Sequence, residues 1–341
     1  MKDIKSSKKT SFFKKLFIKI CRKLGYEIID QNSFEVVTSN KILTDDLSKL
    51  GLNSINLPLG EVKVTRKVKA LDIIVRTCAS VNMLTQNKTR LFEKQKIEYT
   101  LRTIRSLLHS ANFDPQLKKL KIYFKIIDHN STEENLKKID DVFKKFNTDY
   151  KIINLDVSKF KDQIDKTNQR GETVTLNQMS NMANIHQSLL EAKKSEDLIY
   201  FVEDDYLHKR NSIKEMIFTY ERISSQINSE IIICPADYPY LYAKTEATLN
   251  FLGHKSHWRK VGETLCTFLT SKQIIEKYWD QYVRMCQREH APFEKPMHEI
   301  YEKELCISPI PSLAVHFTNI NSIFGLSPNM DWKKIWDENE N

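Results

Sequence analysis

The sequence predicts an α/β fold, Rossmann-like, with a mainly parallel sheet flanked by helices, on three observations. Apolar runs of strand length alternate with stretches of helical periodicity through residues 71–205. The segments between the strands are long enough for right-handed crossovers, the only common way to join parallel neighbours. Polar or acidic residues close the first, second and fourth runs, and ligands of such sheets bind beyond the carboxyl ends of the strands.

The elements follow in order. LDIIVRTCAS (71–80) is an apolar strand that stops at polar residues, and Leu91, Ile97, Leu101, Ile104, Leu107 and Leu108 give 91–110 helical spacing. KIYFKIID (121–128) is the second strand. A helix over 132–146 is announced by Ser131 and Thr132 ahead of Glu133 and Glu134. KIINL (151–155) is a third strand, 156–175 a polar loop and 178–194 a helix, and LIYFVEDD (198–205) is the fourth strand. The second half is less regular. It offers 230–240 as strand then loop, 263–271 as strand, 274–285 as helix and an apolar run at 310–319.

The fourth strand carries the strongest chemical signal. Glu203, Asp204 and Asp205 stand together at the end of an apolar run, and three adjacent carboxylates are costly to desolvate unless a cation or strong donors neutralise them. Period-2 alternation would put Glu203 and Asp205 on one side and Asp204 on the other, so that two carboxylates converge on one ion. Hard oxygen ligands favour Mg2+ or Mn2+. An acidic turn exiting into solvent is the plainer alternative.

Composition narrows the classes. The 341 residues carry a net charge of +9, with 40% hydrophobic and 28% charged residues, ordinary for a globular chain. Residues 1–24 hold nine Lys or Arg against Asp3, a balance of +8, and the remaining chain sums to only +1. No basic face is left within the fold for a duplex, so nucleic acid is not an expected partner. Phe12, Phe13, Leu16, Phe17, Ile20 and Leu24 recur at three- and four-residue spacing with Lys14, Lys15, Lys19, Arg22 and Lys23 on the other face. This is a basic amphipathic helix suited to peripheral contact with an anionic membrane; a helix docked on its own domain is the alternative. Six scattered cysteines without a CxxC read as reduced thiols, and no GxGxxG or GxxxxGK[ST] occurs. The expected organisation is a basic tail (1–29), a connecting segment (30–69), a main α/β domain (70–325) split near residue 208, and a C-terminal tail (326–341). The expected location is cytoplasmic, at the inner membrane face.

Arg76 and Thr77 at the first strand end, Asp128 in DHNS, the Glu203–Asp205 triplet and an isolated His316 in HFTN together resemble a glycosyltransferase of the GT-A fold, close to family 2. A second likeness, DYPYLY (237–242), HWR (257–259) and ETLCTF (263–268), is similar to bacterial polysaccharide-assembly glycosyltransferases. The resemblance implies a nucleotide-diphosphate sugar donor (UDP- or GDP-sugar), with Asp128 on the nucleobase. It implies Asp205, Glu203 and His316 on Mn2+ or Mg2+, and it leaves open whether Glu203 or Asp204 meets the ribose. The acidic motif reads Glu-Asp-Asp here where the family often has Asp-x-Asp.

The chemistry asks for further groups. A departing diphosphate needs positive charge, for which Arg259 or His257 is suited. The acceptor hydroxyl must lose a proton to a carboxylate, and in EKPMHEIYEKE (294–304) Glu299 is the first choice and Glu294 the next, a solvated polar helix being the alternative. Asn181 and Asn184, with Asn177, step along one side of a helix and could meet the donor sugar, and Trp258 could stack on a sugar ring or fill core. The acceptor would be a polysaccharide or lipid-linked hydroxyl, and direct displacement would invert the anomeric centre. A sugar-phosphate nucleotidyltransferase, a phosphohydrolase and a catalytically silent glycan- or membrane-binding module are the competing functions.

Overall fold

The computed structural model describes residues 12–26, 54–57, 60–79, 90–243, 245, 247–318 and 321–340. Residues 1–11 of the basic tail and much of the connecting segment 30–69 therefore lie outside the described residues. The chain divides into two compact units, one of residues 1–42 and 56–61 and the other of residues 43–55 and 62–341.

In the first unit, helix α1 (Phe12–Lys23) ends on Arg22 and Lys23, cations that suit the negative end of a helix dipole. Phe12, Phe13 and Phe17 are 74%, 78% and 59% exposed, and Leu16, Ile20 and Leu24 are exposed as well. Strands β1 (Ser54–Leu57) and β2 (Gly60–Lys63), each of which the division between the units cuts, form a two-stranded sheet.

The second unit starts with β3 (Ala70–Thr77) and α2 (Lys96–Ala111), then β4 (Lys121–Asp128), α3 (Glu133–Phe146), β5 (Tyr150–Asn154), α4 (Leu176–Ala192) and β6 (Leu198–Glu203). Local signals account for these boundaries. Thr132 caps α3 by accepting from Asn135 N, acidic residues open the helix, lysines close it, and Asn147 ends it in the left-handed conformation. Thr175 and Gln178 close a capping box at the start of α4. Strands β3, β4 and β6 are apolar almost throughout because both sheet faces are covered.

The remaining elements are β7 (Tyr206–His208), α5 (Ser212–Ile227), β8 (Ile232–Ile233), β9 (Asn250–Leu252), β10 (His257–Lys260), β11 (Phe268–Ser271), α6 (Lys272–Lys277), α7 (Trp279–Gln287), α8 (Lys295–Tyr301), β12 (Cys306–Ile310), β13 (Ala314–His316) and α9 (Trp332–Asp337). The main sheet has nine strands in the order β5-β4-β3-β6-β11-β8-β12-β10-β9, and β13 pairs with β7 in a separate ribbon. The four strands β5, β4, β3 and β6 are parallel, as expected. The other half is mixed: β11 runs antiparallel to both β6 and β8, and β9 and β10 are antiparallel neighbours.

Two expectations are corrected in this half and one is refined. The strand-then-loop expected over 230–240 is a two-residue strand, β8, after which Cys234 N still donates to the Ile307 carbonyl at 2.8 Å and the chain continues as loop. The helix expected over 274–285 is two, broken at Tyr278. The C-terminal stretch is no loose tail: Trp336 of α9 is buried against Phe92, Tyr99 and Phe317, and Arg102 of α2 donates to its carbonyl at 2.6 Å.

Successive strands step outward from β3 to β4 and β5, and the chain then crosses back to place β6 on the other side of β3. That reversal leaves a crevice beyond the carboxyl ends of β3 and β6, where a doubly wound sheet binds ligands. Arg76 and Glu203 are register partners across it, and Thr77 pairs with Asp128 on the adjoining strand.

Candidate active site

A cleft opens at this reversal, with the ends of β3 and β6, the start of α2, one side of α4 and His316 for its walls. The acidic triplet lies at its floor. Strand β6 ends at Glu203, and Asp204 and Asp205 turn the chain into β7, so strict alternation does not extend through the triplet. Each carboxylate takes its own direction.

Glu203 Oε1 accepts from Arg76 Nη2 at 3.0 Å, and Thr267 donates to its other oxygen at 3.4 Å. Asp204 faces α2, where Lys96 Nζ reaches Oδ1 at 2.5 Å and Thr100 Oγ1 reaches Oδ2 at 3.0 Å. Asp205 accepts from Arg90 Nη1 at 2.7 Å, and its other oxygen lies 3.5 Å from His316 Nε2. Thus the charge that the sequence seemed to leave to an ion is balanced one for one by cations of the chain itself. Arg90 and Lys96 are the residues that sequence analysis missed: they are 115 and 108 positions from the carboxylates they hold, and no local pattern marks them.

The electrostatic consequences are large. Burial would raise the Asp205 carboxyl, but Lys96, His316 and Arg90 overcome it and hold the group well below its usual range. Burial would lower His316, yet Asp205 and Glu203 raise its imidazole above the ordinary value. The ring stacks on Tyr206 at 4.5 Å, and Nδ1 lies 2.8 Å from the Phe324 carbonyl. A proton on Nδ1 donated to that carbonyl leaves Nε2 turned toward Asp205.

The same pair decides how well a divalent ion would fit. Imidazole with its far nitrogen anchored on a backbone carbonyl, beside a carboxylate, is a common metal-ligand arrangement, and the oxygen and nitrogen donors suit Mn2+. Asp205 and His316 fit, with Glu203 nearby, although Arg90 occupies one Asp205 oxygen. Among the described residues no three His, Cys, Asp or Glu side chains stand together as an ion-holding group.

The helix wall carries Asn177, Ser180, Asn181 and Asn184 of α4. Asn181 Oδ1 accepts from Arg76 at 2.9 Å. Asn184 donates to the Ile127 carbonyl at 3.1 Å, which leaves its buried Oδ1 without a partner among the described residues. Leaving a buried acceptor unpaired costs about 1–3 kcal/mol, so a ligand donor there would be favoured. Thr77 lines the cleft, whereas the buried Asp128 holds its loop together by accepting from Thr77 Oγ1 at 2.6 Å and from Ser131 Oγ and N at 2.6 and 3.1 Å.

Several expected residues are placed elsewhere. Strand β10 lies five places from β3 in the sheet, which keeps its residues out of the cleft lining. His257 is exposed, and Trp258 is fully buried with Nε1 donating to Glu215 at 3.3 Å, core packing rather than a sugar platform. Arg259 pairs with buried Asp237 and lies over the Tyr242 ring, on a second groove shared with Tyr240, Leu249, Lys260 and Glu263. Glu299 forms a surface ion pair with Arg284. Glu294, at the N-terminal cap of α8, is different: burial first, then the Glu203 charge, raise its carboxyl from 4.5 to about 7, while Arg76 and His316 pull the other way. Glu294 does not itself line the cleft; Cys266 Sγ lies 4.0 Å from its Oε1.

No protein-family model and no curated protein matches the chain. Solved structures similar to it are GT-A glycosyltransferases. The galactosyltransferase LgtC in complex with donor and acceptor sugar analogs is 8% identical over 79% of this chain and 95% of that one, with a TM-score of 0.37. An active-site mutant of LgtC is 12% identical with a TM-score of 0.35, over 63% of this chain and 64% of that one. GalNAc-T7 with UDP, GalNAc and Mn2+ is 11% identical over 80% of this chain and 50% of that one, with a TM-score of 0.41.

Proposed function

We propose that the chain is a glycosyltransferase that moves a sugar from a UDP- or GDP-sugar to a hydroxyl of a polysaccharide or lipid-linked acceptor, with inversion. The single observation that carries this is the cleft at the strand reversal. It gathers three carboxylates, three cations, two histidines and an unpaired buried amide oxygen at the carboxyl ends of β3 and β6.

The donor enters with its diphosphate toward Arg90 and Lys96 and its sugar toward Asn181 and Asn184. Arg76 and Thr77 shape the floor, and Asp128 positions the loop over which the nucleobase lies. Asp205, His316 and Glu203 would hold Mn2+ or Mg2+, and such an ion, when bound, offsets the negative charge on the departing diphosphate. Arg90 and Lys96 add positive charge at the same place, where cations stabilise a departing diphosphate. Glu294 is the base: a carboxyl with a pKa near neutral is matched to taking a proton from a hydroxyl. As the acceptor oxygen bonds to the anomeric carbon, the bond to the diphosphate oxygen breaks and the hydroxyl proton passes to Glu294.

The groove beside Tyr242 and Arg259 is the reading for the acceptor, since an exposed aromatic ring held by a buried ion pair offers a firm face to a sugar. Helix α1 supplies peripheral membrane contact at the cytoplasmic, inner face, consistent with its exposed phenylalanines and basic opposite side; no described helix is long and apolar enough to cross a membrane. Mass-spectrometric screening of the purified chain against a nucleotide-sugar panel with Mn2+ tests the proposal. Consumption of one donor supports it; a panel left intact, with no nucleotide bound, refutes it.

A further inference from the structure

The three ion pairs on the cleft floor are not equivalent. Lys96 is sealed against Asp204, which also accepts from Thr100 and, at 3.4 Å, from Cys78 N. Arg76 is fixed at both ends of its guanidinium, by Glu203 and Asn181. Arg90 reaches the floor from outside the sheet, lies over the Tyr99 ring at 5.2 Å, and donates to the carboxylate that stands against His316. One oxygen of Asp205 therefore faces a guanidinium and the other an imidazole.

Charge counting gives this arrangement a meaning. Glu203, Asp204 and Asp205 against Arg76, Arg90 and Lys96 sum to zero. A divalent ion arriving alone would leave two uncompensated positive charges in a buried space, with Lys96 only 3.9 Å from Asp205. Unscreened repulsion at such distances costs several kcal/mol even at an effective dielectric constant of about 20. An ion that arrives with a diphosphate brings its own neutralising charge, and phosphate oxygens can take a guanidinium by both nitrogens where Asp205 is held by Nη1.

We infer that Arg90 is an exchange residue: without donor it neutralises Asp205, and with donor it passes to the diphosphate and releases Asp205 and His316 to a divalent ion, so that ion and diphosphate bind as a pair. This rests on the donor reading above but predicts a behaviour that the reading does not require. Arg90 then has two partners in turn, and the acidic triplet is a poor ion site until the nucleotide is present.

Mn2+ binding to the whole chain, followed by the electron paramagnetic resonance of free Mn2+ and by thermal unfolding, tests the inference. The wild type should bind Mn2+ at least about tenfold more tightly with UDP or GDP present than without. Arg90→Gln should bind Mn2+ alone at least about tenfold more tightly than the wild type does, and Mn2+ should recover the melting temperature that the substitution loses. Arg90→Lys, which keeps the charge, should behave like the wild type toward the ion alone. Equal Mn2+ affinity of the wild type and Arg90→Gln without nucleotide overturns the inference, as does wild-type Mn2+ binding that nucleotide leaves unchanged. UDP or GDP binding of equal strength in EDTA overturns it while leaving the donor reading in place. If neither nucleotide binds, the donor reading fails, and the Mn2+ comparison between wild type and Arg90→Gln still decides whether Arg90 guards Asp205.

Discussion

Replacing Glu294 by Gln should stabilise the protein at alkaline pH and stop its chemistry. The carboxyl titrates near 7 in the folded chain against an ordinary 4.5, with burial as the main cause and Glu203 as the next. A raised acid pKa means that the folded state holds the proton more tightly, so stability falls as pH rises between the two values and the full penalty is present above the folded one. At 1.36 kcal/mol per unit the difference amounts to about 3 kcal/mol. Glu294→Gln removes the ionisable group while keeping its shape, so it should match the wild type at pH 4 and exceed it by about 2–3 kcal/mol at pH 8.5. Urea unfolding at the two pH values measures this. The same substitution should lower kcat by roughly two to four orders of magnitude and abolish the rise of kcat/KM through pH 7. A variant no more stable than the wild type at pH 8.5 would refute the burial argument, and full activity in the variant would refute the assignment of the base.

Other outcomes follow from the same contacts. Lys96→Met should cost about 3–5 kcal/mol in urea unfolding, because it strands the buried Asp204 charge, and adding Asp204→Asn should recover most of the loss. Glu299→Gln, which breaks only an exposed pair with Arg284, should change stability by less than about 1 kcal/mol and leave kcat intact; a large loss of kcat would return the base role to Glu299. The chain should sediment with vesicles containing phosphatidylglycerol and not with pure phosphatidylcholine. Phe13→Ser with Phe17→Ser should release it, and Lys19→Glu with Lys23→Glu should weaken binding by about 1 kcal/mol or more per residue; indifference to both pairs would exclude α1 as the contact.

How much of this was legible in the sequence depends on how local each determinant is. Strands β3, β4 and β6 are continuous apolar runs with polar ends, and that pattern alone places Arg76, Thr77 and Glu203 at one edge once the strands are parallel. The caps of α3 and α4 are equally local. The second half resists because its strands are two to five residues long and their pairing is set by distant partners, as when Trp258 of β10 lies opposite Pro309. Glu294 and Glu299 show the limit most clearly. Five positions apart in one glutamate-rich stretch and both half-buried, they look alike until desolvation and the Glu203 charge raise the Glu294 carboxyl while Glu299 pairs with Arg284. Arg259, expected beside the departing diphosphate, lies instead on the groove of β10, since nothing local says that β10 lies across the sheet.

The acidic triplet carries the wider lesson about charge. Taken alone, adjacent carboxylates after an apolar strand imply an external cation, because desolvating them without one is too costly. That inference assumes no internal counter-charge, an assumption that only tertiary structure can test. The fold brings Arg90 and Lys96 across more than a hundred residues to Asp205 and Asp204, so the three carboxylates are balanced before any ligand arrives. Neutrality changes what the triplet can do: a cluster already balanced has little need of a free ion, while its cations remain available to an anion that offers better geometry than a carboxylate. A diphosphate is such an anion. Its binding would expose the carboxylates that the arginine had covered, and ion affinity becomes a consequence of donor binding instead of its precondition.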